Sequence, residues 1–517
     1  MSAGRHQSDE EPKVIKLKVM IDKTRNRVIF AESDHEFIDT LFSFLTLPLG
    51  TVLRLLEKDM VQLGSISCVY ASVYSLDSRF LRTSYCKSML IMPRNSSEVQ
   101  CEKLKLNVDH SEIAGKLFVC SDYYPCNNLC SISQNTRCCL CDNLMQFPKR
   151  IYDKEEKRSS GKGSVVEVFL KGGAASFMIT DDLQVMPAST ASLTALFGKL
   201  GVSDKNEIEA KTVEVGTKEV LQLLKFALLS KMPLTNMVLN NQGNWVKDTS
   251  KFENNQTAKL EKKAMSQNSN SMSLKLIVSK SNKKVLYAEA GVKLVDFLFS
   301  FLAFPLGAVV KHLGGNSRLG CIDNLYKAAA DLSSENYMKS EECKNVLLSP
   351  KLFPHSGFDS HILQVGEEYP KYRYRFGGLE IVGDTNKSEG SSIGYEEKTS
   401  DLVVTSESIE SEEAASNFAI IMDPKSPTGE TIKGEGYLKG PATFMILDNL
   451  RVTPFSPTSI ITQLNQMKVS PSDVEERTVI VGKDEALNLL KASLISKTVL
   501  NDVFNIREPY PKVMLKV

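Results

Sequence analysis

A chain of 517 residues with 42% hydrophobic and 24% charged residues has the make-up of a globular protein with room for more than one core, which excludes fibrous and wholly disordered classes. Lys+Arg 63 against Asp+Glu 62 leaves a formal net charge of +1, so no global field steers the chain onto nucleic acid or an anionic membrane. The polar opening Met1-Ser-Ala-Gly-Arg-His-Gln-Ser-Asp-Glu-Glu11 has no apolar signal region, and the apolar stretch 294–310 is broken by Asp296, Pro305 and Gly307. The expectation is a soluble intracellular protein, of cytoplasm or nucleus, with no membrane span.

The first elements form a hairpin, Leu17–Ile21 and Arg27–Ala31 around the polar turn 22–26. Ser33-Asp-His-Glu36 has the form of a capping box, and Phe37, Ile38, Leu41, Phe42 and Leu45 then fall on one helical face. Pro48 opens a second helix, Leu49–Glu57, and a third amphipathic stretch runs from Ile66 to Leu76. Further on, Val165–Lys171 and Ser176–Thr180 are strand-like, and Asp181-Asp182 makes a turn. Ser189 caps a helix to Leu200, Val213–Val215 is a short strand, and Gly216 precedes a long apolar helix, Glu219–Ser230.

The same succession then starts again. Leu17-Lys-Val-Met-Ile-Asp22 recurs as Leu274-Lys-Leu-Ile-Val-Ser279, an offset of 257. That offset also carries Phe42-Ser-Phe-Leu45 onto Phe299-Ser-Phe-Leu302 and Pro48-Leu-Gly50 onto Pro305-Leu-Gly307. Phe169-Leu-Lys-Gly172 matches Tyr437-Leu-Lys-Gly440, and Phe177-Met-Ile179 matches Phe444-Met-Ile446. Self-similarity of this kind predicts two tandem copies of one α+β unit, at 13–239 and 272–506, joined by a flexible polar linker at 240–271. Each copy opens with a hairpin and helix, an opening similar to that of a β-grasp unit, and closes strand-strand-helix-strand-helix. Each is expected to pack independently. Copy two adds a segment at 384–416 with nine acidic and two basic residues among serines, which reads as a solvated insert without fixed structure.

Nine of the 11 cysteines lie between Cys68 and Cys141, and none follows Cys343. Closely spaced thiolates are what a tetrahedral zinc site needs, so a zinc-ribbon-like insert is expected at about 118–145. The favoured ligands are Cys120, Cys126, Cys139 and Cys141, with Cys130 and Cys138 as alternates. Cys139-Leu-Cys141 forms one pair, ahead of a turn at Asp142-Asn143. The matching part of copy two, about 352–378, holds no cysteine, so metal binding belongs to one half. Buried metal-free cysteines and a reactive thiol are the competing readings; His110, the nearest histidine, is read as a surface residue.

Together the Leu17–Asp22 hairpin, Leu41-Phe-Ser-Phe-Leu45 with Leu47-Pro-Leu-Gly50, Asn95-Ser-Ser97 ahead of Cys101 and Leu104-Lys-Leu106, the Cys139-x-Cys141 knuckle and Phe177-Met-Ile179 resemble the plant family known as domain of unknown function 674. The resemblance covers nearly all of both copies. It implies a plant source and tandem copies, and it brings no activity or catalytic residue. Asp142 departs from the glycine expected there.

Known chemistries fare poorly. Gly378-Leu-Glu-Ile-Val-Gly383-Asp384-Thr385 has phosphate-loop spacing, but Asp384 stands where a lysine would neutralise phosphate. Lys149, Arg150, Lys154, Lys157 and Arg158 are interleaved with Asp153, Glu155 and Glu156, a pattern of solvated surface and not a phosphate track. The expected function is a non-enzymatic protein-interaction or scaffold protein with a structural zinc in copy one. A nucleic-acid-binding regulator is the alternative, and a thiol-dependent enzyme or redox protein a second.

Overall fold

The computed structural model describes residues 13–57, 61–120, 126, 129–134, 136–153, 166–201, 208–239, 271–357, 362–368, 372–374, 402–404, 419–426 and 436–504. The linker 240–271 lies outside them except for its last residue, and so does most of 384–416.

The hairpin expected near the start forms as β1 (Ile15–Asp22) and β2 (Arg27–Ser33). Alternation decides the faces: Ile15, Leu17, Val19 and Ile21 are buried, while Lys16 and Lys18 face water. Three further strands, β6 (Phe177–Thr180), β7 (Val185–Pro187) and β8 (Ile208–Val215), complete an antiparallel sheet in the order β7-β6-β2-β1-β8. The second half builds another from β9 (Met272–Ser279), β10 (Val285–Gly291), β14 (Thr443–Leu447), β15 (Val452–Pro454) and β16 (Val474–Val481), in the order β15-β14-β10-β9-β16. In both, the last strand runs antiparallel to the first, Ile15 opposite Val215 and Met272 opposite Val481. A β-grasp sheet sets a late strand parallel beside the first, so that likeness ends with the hairpin. The fold is α+β.

Local chemistry departs from expectation twice. Helix α1 (His35–Ser43) is capped by Asp34, whose carboxylate accepts the Glu36 N–H, and not by Ser33. Residues 166–171 form no strand, because the N–H groups of Val168, Phe169 and Leu170 turn inward onto the carboxylate of Asp39.

Independent packing does not hold. One hydrophobic core contains both Phe42 and Phe299, each fully buried, and runs through both halves. Helix α2 (Leu49–Leu56) and its counterpart Leu306–His312 start from a reciprocal bridge: Leu49 N donates to Phe304 O at 2.9 Å and Leu306 N to Leu47 O at 3.0 Å. The Pro-Leu-Gly motif has a physical reason here. A Cβ on Gly50 would lie 2.7 Å from Leu90 O, and one on Gly307 2.5 Å from Leu347 O.

The halves also exchange segments. Arg82 N donates to Tyr437 O and Lys439 N to Phe80 O; in return Lys171 N donates to Tyr337 O and Lys339 N to Phe169 O. Helix α3 (Ile66–Ser75) of the first half reaches the second sheet, where its Ser72 Oγ accepts the Val452 N–H at 2.9 Å. Helix Ile322–Asp331 answers it, with Asn324 Nδ2 donating to Asp182 O at 2.8 Å.

Candidate metal centre

The cysteine-rich segment builds a small sheet apart from the main ones. Strand β3 (Lys116–Val119) pairs antiparallel with β5 (Phe147–Asp153), Val119 opposite Phe147, and delivers Cys120 from its end. The two-residue strand β4 (Leu129–Cys130) lies alongside: Phe118 and Ser131 exchange backbone hydrogen bonds at 2.8 Å. Cys126 enters this turn through its carbonyl, which accepts the Leu129 N–H at 3.1 Å.

The remaining thiols sit on a tight turn. Asp142 N donates to Cys138 O and Cys138 N to Asn143 O, each at 2.9 Å. Asp142 takes the left-handed conformation (φ 58), which is why a glycine is expected at that position and why an aspartate, whose short polar chain tolerates it, can stand in. Arg137 secures the turn by donating to Asp142 O at 2.9 Å.

This geometry brings Cys120, Cys126, Cys138 and Cys141 together, with all four sulfurs within 4.8 Å of one another and Cys138 Sγ 3.5 Å from Cys126 Sγ. Tetrahedral ligation by thiolates at about 2.3 Å from zinc sets sulfurs roughly 3.8 Å apart, so the cluster needs only small adjustments to close on an ion. Cys120, Cys126 and Cys138 are buried, and Phe118, Leu129, Met145 and Met422 wrap them in an apolar shell separate from the main core.

The electrostatics suit a cation. Burial pushes the Cys120 thiol up to about 11, against the pull of the Cys126 thiol and with Cys141 and Cys138 adding to the rise, and burial pushes Cys126 up as well. At Cys138 burial also acts upward, but the N–H groups of Cys141 and Leu140 and the thiols of Cys126 and Cys141 outweigh it and hold that sulfur below its ordinary value. One thiolate-favouring position among three crowded sulfurs is an arrangement that a divalent ion relieves, since coordination deprotonates every ligand.

Cys139, one of the four favoured from sequence, is exposed and outside the group, and Cys138 stands in its place. The reason is the turn: its hydrogen bonds set residues 138 and 141 on one side, so Cys139 must face away. Cys138-Cys139-Leu140-Cys141 is itself a CxxC spacing, a signal that pairing Cys139 with Cys141 passes over. Cys130, an alternate, is buried in the main core, its thiol bonded to Ile420 O at 3.5 Å and pushed up to about 12 by burial. His110 is exposed, as expected.

The second half touches this centre. Strand β13 (Ile420–Ile421) pairs parallel with β4, Ile421 opposite Cys130, and Met422 N donates to Cys130 O at 2.8 Å. Strand β12 (Leu402–Val404), which falls within the acidic segment 384–416, pairs parallel with β5.

With this geometry in view, the chain can be placed. A family model described as Protein of unknown function (DUF674) matches residues 11–484, and the chain belongs to that family. No curated protein and no solved structure matches it. Among the described residues, no helix is long and apolar enough to cross a membrane.

Proposed function

We propose that this DUF674 chain is a non-enzymatic interaction or scaffold protein, built from two copies of one α+β unit and carrying a structural zinc ion on Cys120, Cys126, Cys138 and Cys141. The observation that carries the metal reading is the closure of the site: four thiols converge, three of them buried, under an apolar shell. Structural zinc sites are closed in this way, whereas catalytic ones leave a position for water. The ion would cross-link a segment whose own apolar core is small.

A scaffold role is supported by how the buried ionisable groups are used. Asp39 and Asp296, both displaced upward by burial, are occupied by backbone N–H groups, and Asp181 by Thr235 and Arg27. Such groups hold the fold together. Copying is supported by the matching order of the two sheets, with 13–239 and 272–506 as interlocked repeats.

The test is zinc analysis of the purified full chain. Near one equivalent per chain is expected, lost in Cys138→Ser and Cys141→Ser; a folded wild-type chain that binds no zinc rejects the reading.

A further inference from the structure

Among the described residues, the metal shell contains one buried side chain from the second half, Met422. It belongs to a segment, Ile420–Ser426, that runs from the sulfur cluster into a buried polar cluster of the second half. At the metal end its strand pairing is short. Among the described residues, the β4–β13 ladder is two residues long, with Met422 N donating to Cys130 O at 2.8 Å and Cys130 Sγ to Ile420 O at 3.5 Å beside it, while Ala419 and Ile421 pack, partly buried, against the main core. A ladder so short does not persist without packing on its partner strand.

At the other end the segment organises charge. His355 Nε2 lies 2.9 Å from Ile421 O, and His355 Nδ1 lies 3.8 Å from Asp423 Oδ2. Lys425 N donates to Asp423 Oδ1 at 2.9 Å, and Lys425 Nζ, buried, donates to Gly357 O at 2.5 Å and lies 5.7 Å from the Tyr437 ring centre. Thr83 Oγ1 of the first half donates to Pro424 O at 2.7 Å. His355 itself is left-handed (φ 61) and held there by Glu367, which accepts its N–H at 3.0 Å. Buried charges of this kind are tolerated only while every partner stays in place.

We infer that the zinc site acts as a latch between the halves: metal on the four cysteines fixes β4 and the seat of Met422, and this holds Ile420–Ser426 and the His355–Asp423–Lys425 cluster in the folded arrangement. Emptying the site loosens that strap and leaves the two large sheets intact, because their core is separate from the metal shell. The inference rests on the structural-zinc reading and adds a regulated element to it. Metal affinity and strap order are then reciprocal, since any coupling free energy acts equally in both directions.

The experiment is amide hydrogen exchange on the full chain, zinc-loaded and after stripping by a chelator, with Zn2+ as the only added ion. Exchange in 419–426 and 129–131 should rise by about tenfold or more on stripping, within the usual range of coupling, while 272–291 keeps its protection. In parallel, Met422→Ala should speed zinc release to the chelator by roughly fivefold or more, and Met422→Leu should restore the slow rate. Zinc bound but exchange in 419–426 unchanged on stripping overturns the latch and leaves the metal reading standing. Loss of protection across 272–291 as well overturns it too, because the ion would then staple the whole fold. A chain that binds no zinc removes both readings.

Discussion

Asp39 and Asp296, 257 positions apart, hold equivalent crossing segments. Asp39 accepts the N–H groups of Phe169 and Leu170 at 3.1 and 2.9 Å, and Asp296 those of Tyr437 and Leu438 at 2.8 and 2.9 Å. Each seized segment then bonds across to the other half, Leu170 opposite Met338 and Leu438 opposite Leu81. A buried carboxylate thus replaces a neighbouring strand as hydrogen-bond partner at two of the points where the halves interlock.

Removing either carboxylate should therefore be costly. Asp39→Ala or Asp296→Ala leaves two or three buried N–H groups without an acceptor, at about 1–3 kcal/mol each. A loss of at least about 3 kcal/mol in urea unfolding is expected for each; a loss below about 1 kcal/mol would show that the segments are held by packing alone.

These two groups also set a pH dependence. Burial raises both from 3.8 to about 7, against the pull of their backbone donors. The folded chain therefore binds more protons than the unfolded one between about pH 4 and pH 7, and their contribution to stability is lost as pH rises through that window. The melting temperature should fall from pH 5 to pH 8. His312, pushed down by burial, acts in the opposite sense below its ordinary value. Replacing both aspartates by asparagine should flatten the fall, and an unchanged slope would assign it to other groups.

Two glycines mark where each half grips the other. Gly64 (φ +49) would place a Cβ 2.5 Å from Leu494 C, and Gly320 (φ +47) one 2.3 Å from Ala227 O. Alanine at either site meets both an unfavourable backbone and a backbone neighbour that cannot yield. Each substitution is expected to destabilise by about 2–4 kcal/mol, read from the denaturant midpoint, whereas Gly201→Ala, with open space around it, should cost less.

Neither half should exist as a folded monomer. A fragment of residues 13–239 lacks the segments that accept and donate across the Leu49–Phe304 and Lys171–Tyr337 contacts. Light scattering and circular dichroism should find it unfolded or self-associated through the equivalent surfaces, and a cooperatively melting monomer would contradict the shared core.

Thiol labelling separates the cysteines. Exposed Cys139 should alkylate first in the zinc-loaded chain, with Cys120, Cys126, Cys138 and Cys141 protected until a chelator is added. Cys139→Ser should keep its full zinc equivalent; loss of zinc in that variant would restore Cys139 to the ligand set.

The sequence by itself determined the elements whose signals are local. Strand-like runs around polar turns gave the β1–β2 and β9–β10 hairpins, and glycine before Glu219 and Glu485 gave the long late helices. It also placed three of the four clustered thiols, because short spacing confines them to one loop. Only the tertiary structure decided the rest. Leu170 reads as strand because the signal is local, yet its N–H goes to the distant carboxylate of Asp39. The choice between Cys138 and Cys139 turned on the bonds that orient one tight turn. Whether the two halves stand apart or interlock depends on which apolar faces meet, and that is decided by long-range packing and not by local pattern.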